Sequence, residues 1–370
     1  MYAEDDQGTA AAPVGAERLL ADAARAAHGG RKRLAALVDL FLPESMRLTD
    51  HQRVTIKRFI VRLIGAIEHD LRQRLIAGHA GRFSAEAVAA IGSARVSIAL
   101  PVLERARALH DIELVSLLLA RVEEQRLANA LRRNANEGGR LVEALLADED
   151  PHISQAAMAL LIAESRRFFV FDEPVLSRTD LPADLQYRLV WWVAAALRDY
   201  LTRQHGIDPA QADAALMDAA SGSLSGYDEG ETLEASALQL AYLMADRGWT
   251  DDKVLQAACE EGRLALFVAI LAVRGGLDFE AARGMALPPY GERLIVLLRA
   301  LDVGRDAAGA IALALAEGSD SIAEQMAAFD ALTRDQALAL LQPWQIDTGY
   351  RMAIAALAAG IAERGDGWAA

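Results

Sequence analysis

The sequence predicts an all-α protein, an α-solenoid of short helical hairpins followed by a second, irregular helical domain. Three observations carry this expectation. Alanine and leucine dominate a chain that is 53% apolar, with runs such as ALALA (Ala312 to Ala316) and ALALL (Ala337 to Leu341), while β-branched runs are nearly absent. Apolar residues recur at three- and four-residue spacing over long stretches. These stretches follow one another with only short breaks of glycine, proline or acidic turn residues. At 370 residues the chain is long enough for two domains or one extended array.

In chain order, residues 1–34 read as a partly disordered lead-in, because MYAEDDQGTAAAPVG places acids where a secretion signal needs basic residues and an apolar run. Residues 35–172 form the predicted repeat region. Its first strong helix begins at LTDHQR, with Thr49 and Gln52 spaced as a capping box. Ile56, Ile60, Leu63, Ile64, Ile67, Leu71 and Leu75 then make one apolar stripe. Three predicted hairpins follow: SAEAVAAIG with RVSIALPVLERA, DIELVSLLLARV with EEQRLANALRRN, and GGRLVEALLADED with HISQAAMALLIAES. Their starts at Ser84, Asp111 and Gly139 lie about 26 to 28 residues apart, a spacing suited to stacked hairpins that share one core.

Residues 173–183, within the proline-containing FVFDEPVLSRTDLPADL, read as a linker to a C-terminal helical domain at 184–362, with 363–370 as a tail. That domain opens with DLQYRLVWWVAAALRDYLTRQHG, where Trp191 and Trp192, at helical spacing with Tyr187 and Leu197, read as core packing. SGSLSGYDEGET (Ser221 to Thr232) reads as a loop by composition. Helical segments resume after it, several ending near a glycine, and Thr333 with Gln336 forms a second capping box.

The third hairpin resembles a HEAT repeat. It has an apolar first helix, the acidic turn Asp148, Asp150, Pro151, and a second helix with paired small residues, Ala156 and Ala157. More broadly, LTDHQR (Leu48 to Arg53), the Glu68 and Arg72 pair, PVLERA (Pro101 to Ala106) and RLVWWVAAALR (Arg188 to Arg198) resemble a bacterial family of conserved proteins of unknown function with HEAT-like helical repeats. The resemblance spans roughly residues 35 to 360. It implies a fold and carries no reaction, cofactor or catalytic residue, and His69 is a departure from the family pattern.

Charge and motif content narrow the function classes. Residues 1–150 hold 21 basic and 21 acidic side chains, so the net charge of −14 falls wholly on residues 151–370. Nucleic acid is not an expected partner of such a chain, because phosphate binding needs a concentrated basic footprint. The local exception is residues 47–74, with seven basic and three acidic groups, where Arg53, Lys57, Arg58 and Arg62 form a candidate patch for an anionic partner. The longest apolar runs fall short of the roughly 20 residues that cross a bilayer, so no membrane association is expected. The single cysteine, Cys259, forms no internal disulfide, which fits a cytoplasmic location, and it reads as a packed side chain.

Catalytic and cofactor motifs are missing from the sequence. No H-E-x-x-H, C-x-x-C, phosphate loop or G-x-S-x-G elbow occurs, so neither metal nor cofactor is expected. One segment, IEHDLRQRL (Ile67 to Leu75), is spaced like the phosphoacceptor segment of a sensor kinase, with His69 as the acceptor. At 100° per residue His69 points away from the apolar stripe, and Glu68 with Arg72 and Asp70 with Arg74 stand at i,i+4 as helix-stabilising pairs. No ATP-binding segment accompanies it. The expectation is a non-enzymatic interaction scaffold or adaptor that presents a helical surface to a protein partner. The alternative is a signalling component that accepts phosphate at His69.

Overall fold

The computed structural model describes residues 50–93, 97–134, 141–168, 180–287, 293–316, 322–347, 349–351 and 353–354. The lead-in, most of the 173–183 linker, the tail and Thr49 of the first capping box lie outside these residues. Every regular element among the described residues is helical and none is a strand, as the sequence predicts.

Packing gathers the described residues into two compact units that interleave along the chain. One contains those up to 126 together with those of 155–236; the other contains those of 127–154 and those from 237 onward.

The first unit is built on α1 (Asp50–His79), α2 (Ala85–Gly92), α3 (Ala99–Arg105), α4 (Ile112–Asn134), α6 (Pro151–Phe168), α7 (Ala183–His205) and α8 (Pro209–Ser225), with the divisions falling inside α4 and α6. The α1 stripe is buried as its spacing requires, with Ile60 only partly so, and Ile64, Leu71 and Leu75 lose all exposure. Buried residues of α1 to α4, α7 and α8 make one apolar cluster, so helices before and after the expected linker share a core. Trp191 and Trp192 pack partly buried against that cluster, with Trp191 edge-on to exposed Tyr187. Short helices need their ends satisfied, and Ser84 does this for α2 by accepting a hydrogen bond from the Ala87 amide.

Two elements differ from the sequence reading. DIELVSLLLARV and EEQRLANALRRN are one continuous helix, α4, because Glu123, Glu124 and Gln125 are helix formers and no glycine or proline interrupts them. SGSLS is the last part of α8, and Gly226 follows it at the C-terminal cap. Packing overrides its weak propensity there, since Ala215, Leu216, Ala219 and Ala220 of the same helix are buried in the apolar cluster.

The second unit contains α5 (Leu141–Leu146), most of α9 (Leu233–Asp246), α10 (Asp252–Glu260), α11 (Leu264–Gly275), α12 (Phe279–Ala286), α13 (Leu294–Ala300), α14 (Arg305–Leu315), α15 (Ile322–Ala331) and α16 (Arg334–Leu341). Its centre is α11, LALFVAILAVRG, apolar on every side and accordingly buried from Leu266 to Ala272. Aspartates at the start of α10 and α12 accept from amides three residues on, and Thr333 with Gln336 forms the expected capping box. The turn before α6 is an acidic bracket, with Asp148 and Asp150 accepting from backbone amides and both pairing with Arg247. Gly262 is required where it stands: its φ is +66°, and a Cβ would meet the Ala128 carbonyl oxygen of α4 at 2.7 Å.

Candidate functional site

The α1 helix carries both sites expected from sequence. Lys57 and Arg58 are exposed and Arg62 is half-buried, and together with Val54 and Val61 they line a shallow hollow on the outer face. Val54 keeps 50% and Val61 42% of its surface, seven residues and two turns apart. The backbone of Arg53 belongs to the same helix, but its side chain lies outside what is described. His69 is exposed and stands seven residues beyond Arg62 on nearly the same face.

The charges around His69 are not the matched surface pairs that spacing suggests. Asp70 and Arg74 do form an i,i+4 bridge at 3.0 Å, both partly exposed. Glu68 and Arg72, at 3.2 Å, are buried. The Glu68 carboxylate accepts from the amides of Ile98 (2.8 Å) and Ala99 (3.0 Å) and from the Ser97 hydroxyl (3.0 Å), so it caps α3 from another helix. Two segments of the family resemblance, Glu68 with Arg72 and the PVLERA helix, are thus in contact. Arg188 of RLVWWVAAALR likewise pairs with Asp111 at 3.2 Å and with Glu113 at the start of α4.

A more enclosed cleft of about 260 Å³ opens in the same unit among α1, α4, α6 and residues at the ends of α7 and α8. Its apolar wall includes Phe59, Leu63, Ile67, Leu118 and Leu181, and its polar wall includes Arg121, Arg166, Arg167 and Asp180. Arg167 bridges Asp180 and Glu234, each at 2.5 Å. Asp180 also accepts from the Leu233 amide at 3.3 Å. Burial alone works against the charge on Arg167, but Glu234 and Asp180 outweigh it and hold the guanidinium protonated far above its ordinary range. Burial would raise the Glu234 carboxyl in turn, and Arg167 and then Arg121 overcome this and hold it at about 2.

Arg121 is different. It is 9% exposed, its Nε has no hydrogen-bond partner, and its one ion pair among the described residues is with Asp180 at a long 3.8 Å. Burial and then the neighbouring Arg167 lower its proton affinity, and the acids only partly offset them. Tyr227, whose hydroxyl donates to the Leu181 carbonyl, is pushed up to about 12 by burial and then by Glu229 and Asp180.

None of these cleft residues stands out as a motif in the sequence. The available signal was a charged residue on an apolar stripe: Arg121 sits among Leu114, Leu117, Leu118 and Val122, and Arg167 continues Ile153, Ala156, Leu160 and Ala163. A second pair missed in the sequence is His79, at the end of α1, whose Nε2 lies 2.9 Å from an Asp218 oxygen 139 residues away. Cys259 is fully buried, and burial followed by Glu260 pushes its thiol well above the usual range. Among the described residues no three His, Cys, Asp or Glu side chains are grouped to hold a metal ion, and no helix is long and apolar enough to cross a membrane.

The sequence model of a family described as uncharacterised protein conserved in bacteria (DUF2336) matches residues 98–342. No curated protein and no solved structure matches the chain.

Proposed function

The chain belongs to that bacterial family, and from its own surface we propose that it is a non-enzymatic, cytoplasmic interaction scaffold or adaptor. The observation that carries the reading is the outer face of α1, where half-exposed Val54 and Val61 stand among Lys57, Arg58 and Arg62. Exposed apolar groups rimmed by charge are typical of protein docking sites, whereas a nucleic-acid footprint would place basic groups against phosphates without the valines. The fitting partner is a protein segment with apolar anchors flanked by acids, docked along the helix. Support for a HEAT-like repeat comes from α6 itself, where Pro151 begins the helix behind the acidic turn and the paired small residues Ala156 and Ala157 are buried.

The test is affinity capture with mass spectrometry on the wild type, the Val54→Asp/Val61→Asp double variant and a Lys57→Glu/Arg58→Glu double variant. The partner should lose about tenfold or more in affinity for both variants while thermal unfolding is unchanged. Retention by both would remove the α1 face from the account.

The exposure of His69 on this face favours a second reading, in which its imidazole accepts a phosphoryl group from a phosphorylated partner protein. Acid-labile label that vanishes in His69→Ala would support it. Equal labelling of wild type and variant would sink it.

A further inference from the structure

The cleft is the place in the described structure where a buried cation lacks a close counter-charge. Asp180 sits 2.5 Å from Arg167 and also accepts from the Leu233 amide, which leaves Arg121 with only a 3.8 Å approach and an unpartnered Nε. A buried guanidinium normally forks onto a carboxylate or phosphate through two parallel bonds. Phe59, Leu63 and Ile67 of α1 line the same cleft and give it an apolar wall. The volume, about 260 Å³, exceeds the roughly 150 Å³ cavity that accepts a benzene ring.

We propose that this cleft binds a small monoanionic amphiphile, an acyl or aryl carboxylate whose head group pairs with Arg121 and whose body lies against Phe59, Leu63 and Ile67. A single negative charge is favoured over a phosphate because the other lining arginines are already paired, Arg74 with Asp70, Arg166 with Glu231 and Arg167 with Asp180, which leaves one guanidinium short of a close counter-charge and Asp228 to oppose a second anionic charge. The inference is independent of the docking role assigned to the outer face of α1, since it uses other side chains and a different ligand class.

Calorimetric titration of the full chain with hexanoate, benzoate, hexanol and inorganic phosphate tests it. Hexanoate or benzoate should bind saturably, at least about tenfold tighter than hexanol, and Arg121→Gln should remove that preference. Leu63→Ala, which leaves the charge in place, should weaken the carboxylates and leave phosphate unaffected. Thermal unfolding of both variants, followed in parallel, verifies that they fold; if Arg121→Gln does not, Arg121→Met is used in its place. Equal binding of hexanol and hexanoate, Arg121-dependent phosphate binding tighter than carboxylate binding, or no saturable heat from any probe would each overturn the proposal.

Discussion

The two units use the same helical material and close their interiors by different means. In the unit centred on α11 every buried side chain among the described residues is apolar, with Phe267, Leu271, Leu297 and Ile311 at its heart. In the unit built on α1 and α7, the buried set also includes Glu68, Arg72, Arg121, Glu164, Arg167 and Gln186, and all buried polar or charged side chains of the described residues fall there. Burying ions costs several kcal/mol each unless they are well paired, so an ionic interior is retained for specificity, binding or switching more readily than for strength. The difference therefore marks the α1 and α7 unit as the place to look for function, and the α11 unit as packing.

The most forceful way to break this contrast is to damage each interior in its own terms. Phe267→Ala should cost about 3–5 kcal/mol by opening a cavity, and Arg167→Ala about 3 kcal/mol by leaving half-buried Asp180 and Glu234 without their shared cation. Denaturant unfolding with hydrogen exchange assigns each loss to its unit; an Arg167→Ala variant of wild-type stability would dissolve the distinction.

The next effect is on pH. Glu234 is held at about 2 in the folded protein against an ordinary value of 4.5, so its contribution is complete above pH 4.5 and is lost as pH falls toward 2. Amide protection in the α1 and α7 unit should fall through that window, and the fall should be shallower in Glu234→Gln. Identical acid sensitivity in both units would remove the role given to Glu234.

Smaller effects sharpen the boundary between core and surface within one helix. Trp191→Ala should lower stability by about 2 kcal/mol, whereas Tyr187→Ala, one turn away and 56% exposed, should stay within about 0.5 kcal/mol. Thermal melts decide it, and equal losses would mean that Trp191 is not a core residue. Smallest of all, the Val54→Asp/Val61→Asp variant should change stability by no more than about 0.5 kcal/mol while it changes binding, because both side chains are half-exposed on α1.

The same contrast explains which parts of the molecule were legible in the sequence. LALFVAILAVRG announces a fully buried helix because no face is polar, and the α1 stripe announces its inner face by spacing. The ionic interior was harder to read, because its partners are distant in sequence: Arg167 reaches across 13 residues to Asp180 and 67 to Glu234. Local spacing reported Glu68 and Arg72 as an i,i+4 pair and missed that α3 buries them. The repeat reading placed a break inside α4, where three polar helix formers carry the helix on, and loop-like composition missed the end of α8. His69 was placed correctly on the outside of its helix, a matter of angle alone.

The Glu68 cap has a consequence for the order in which structure forms. A seven-residue helix such as α3 does not persist alone in water, and its leading amides at Ile98 and Ala99 find their acceptor about 30 residues earlier, on α1. Secondary structure in α3 is therefore conditional on a docked α1. The exchange rates of those two amides thus become a local gauge of whether α1 is seated, readable in the intact protein without any knowledge of its partner.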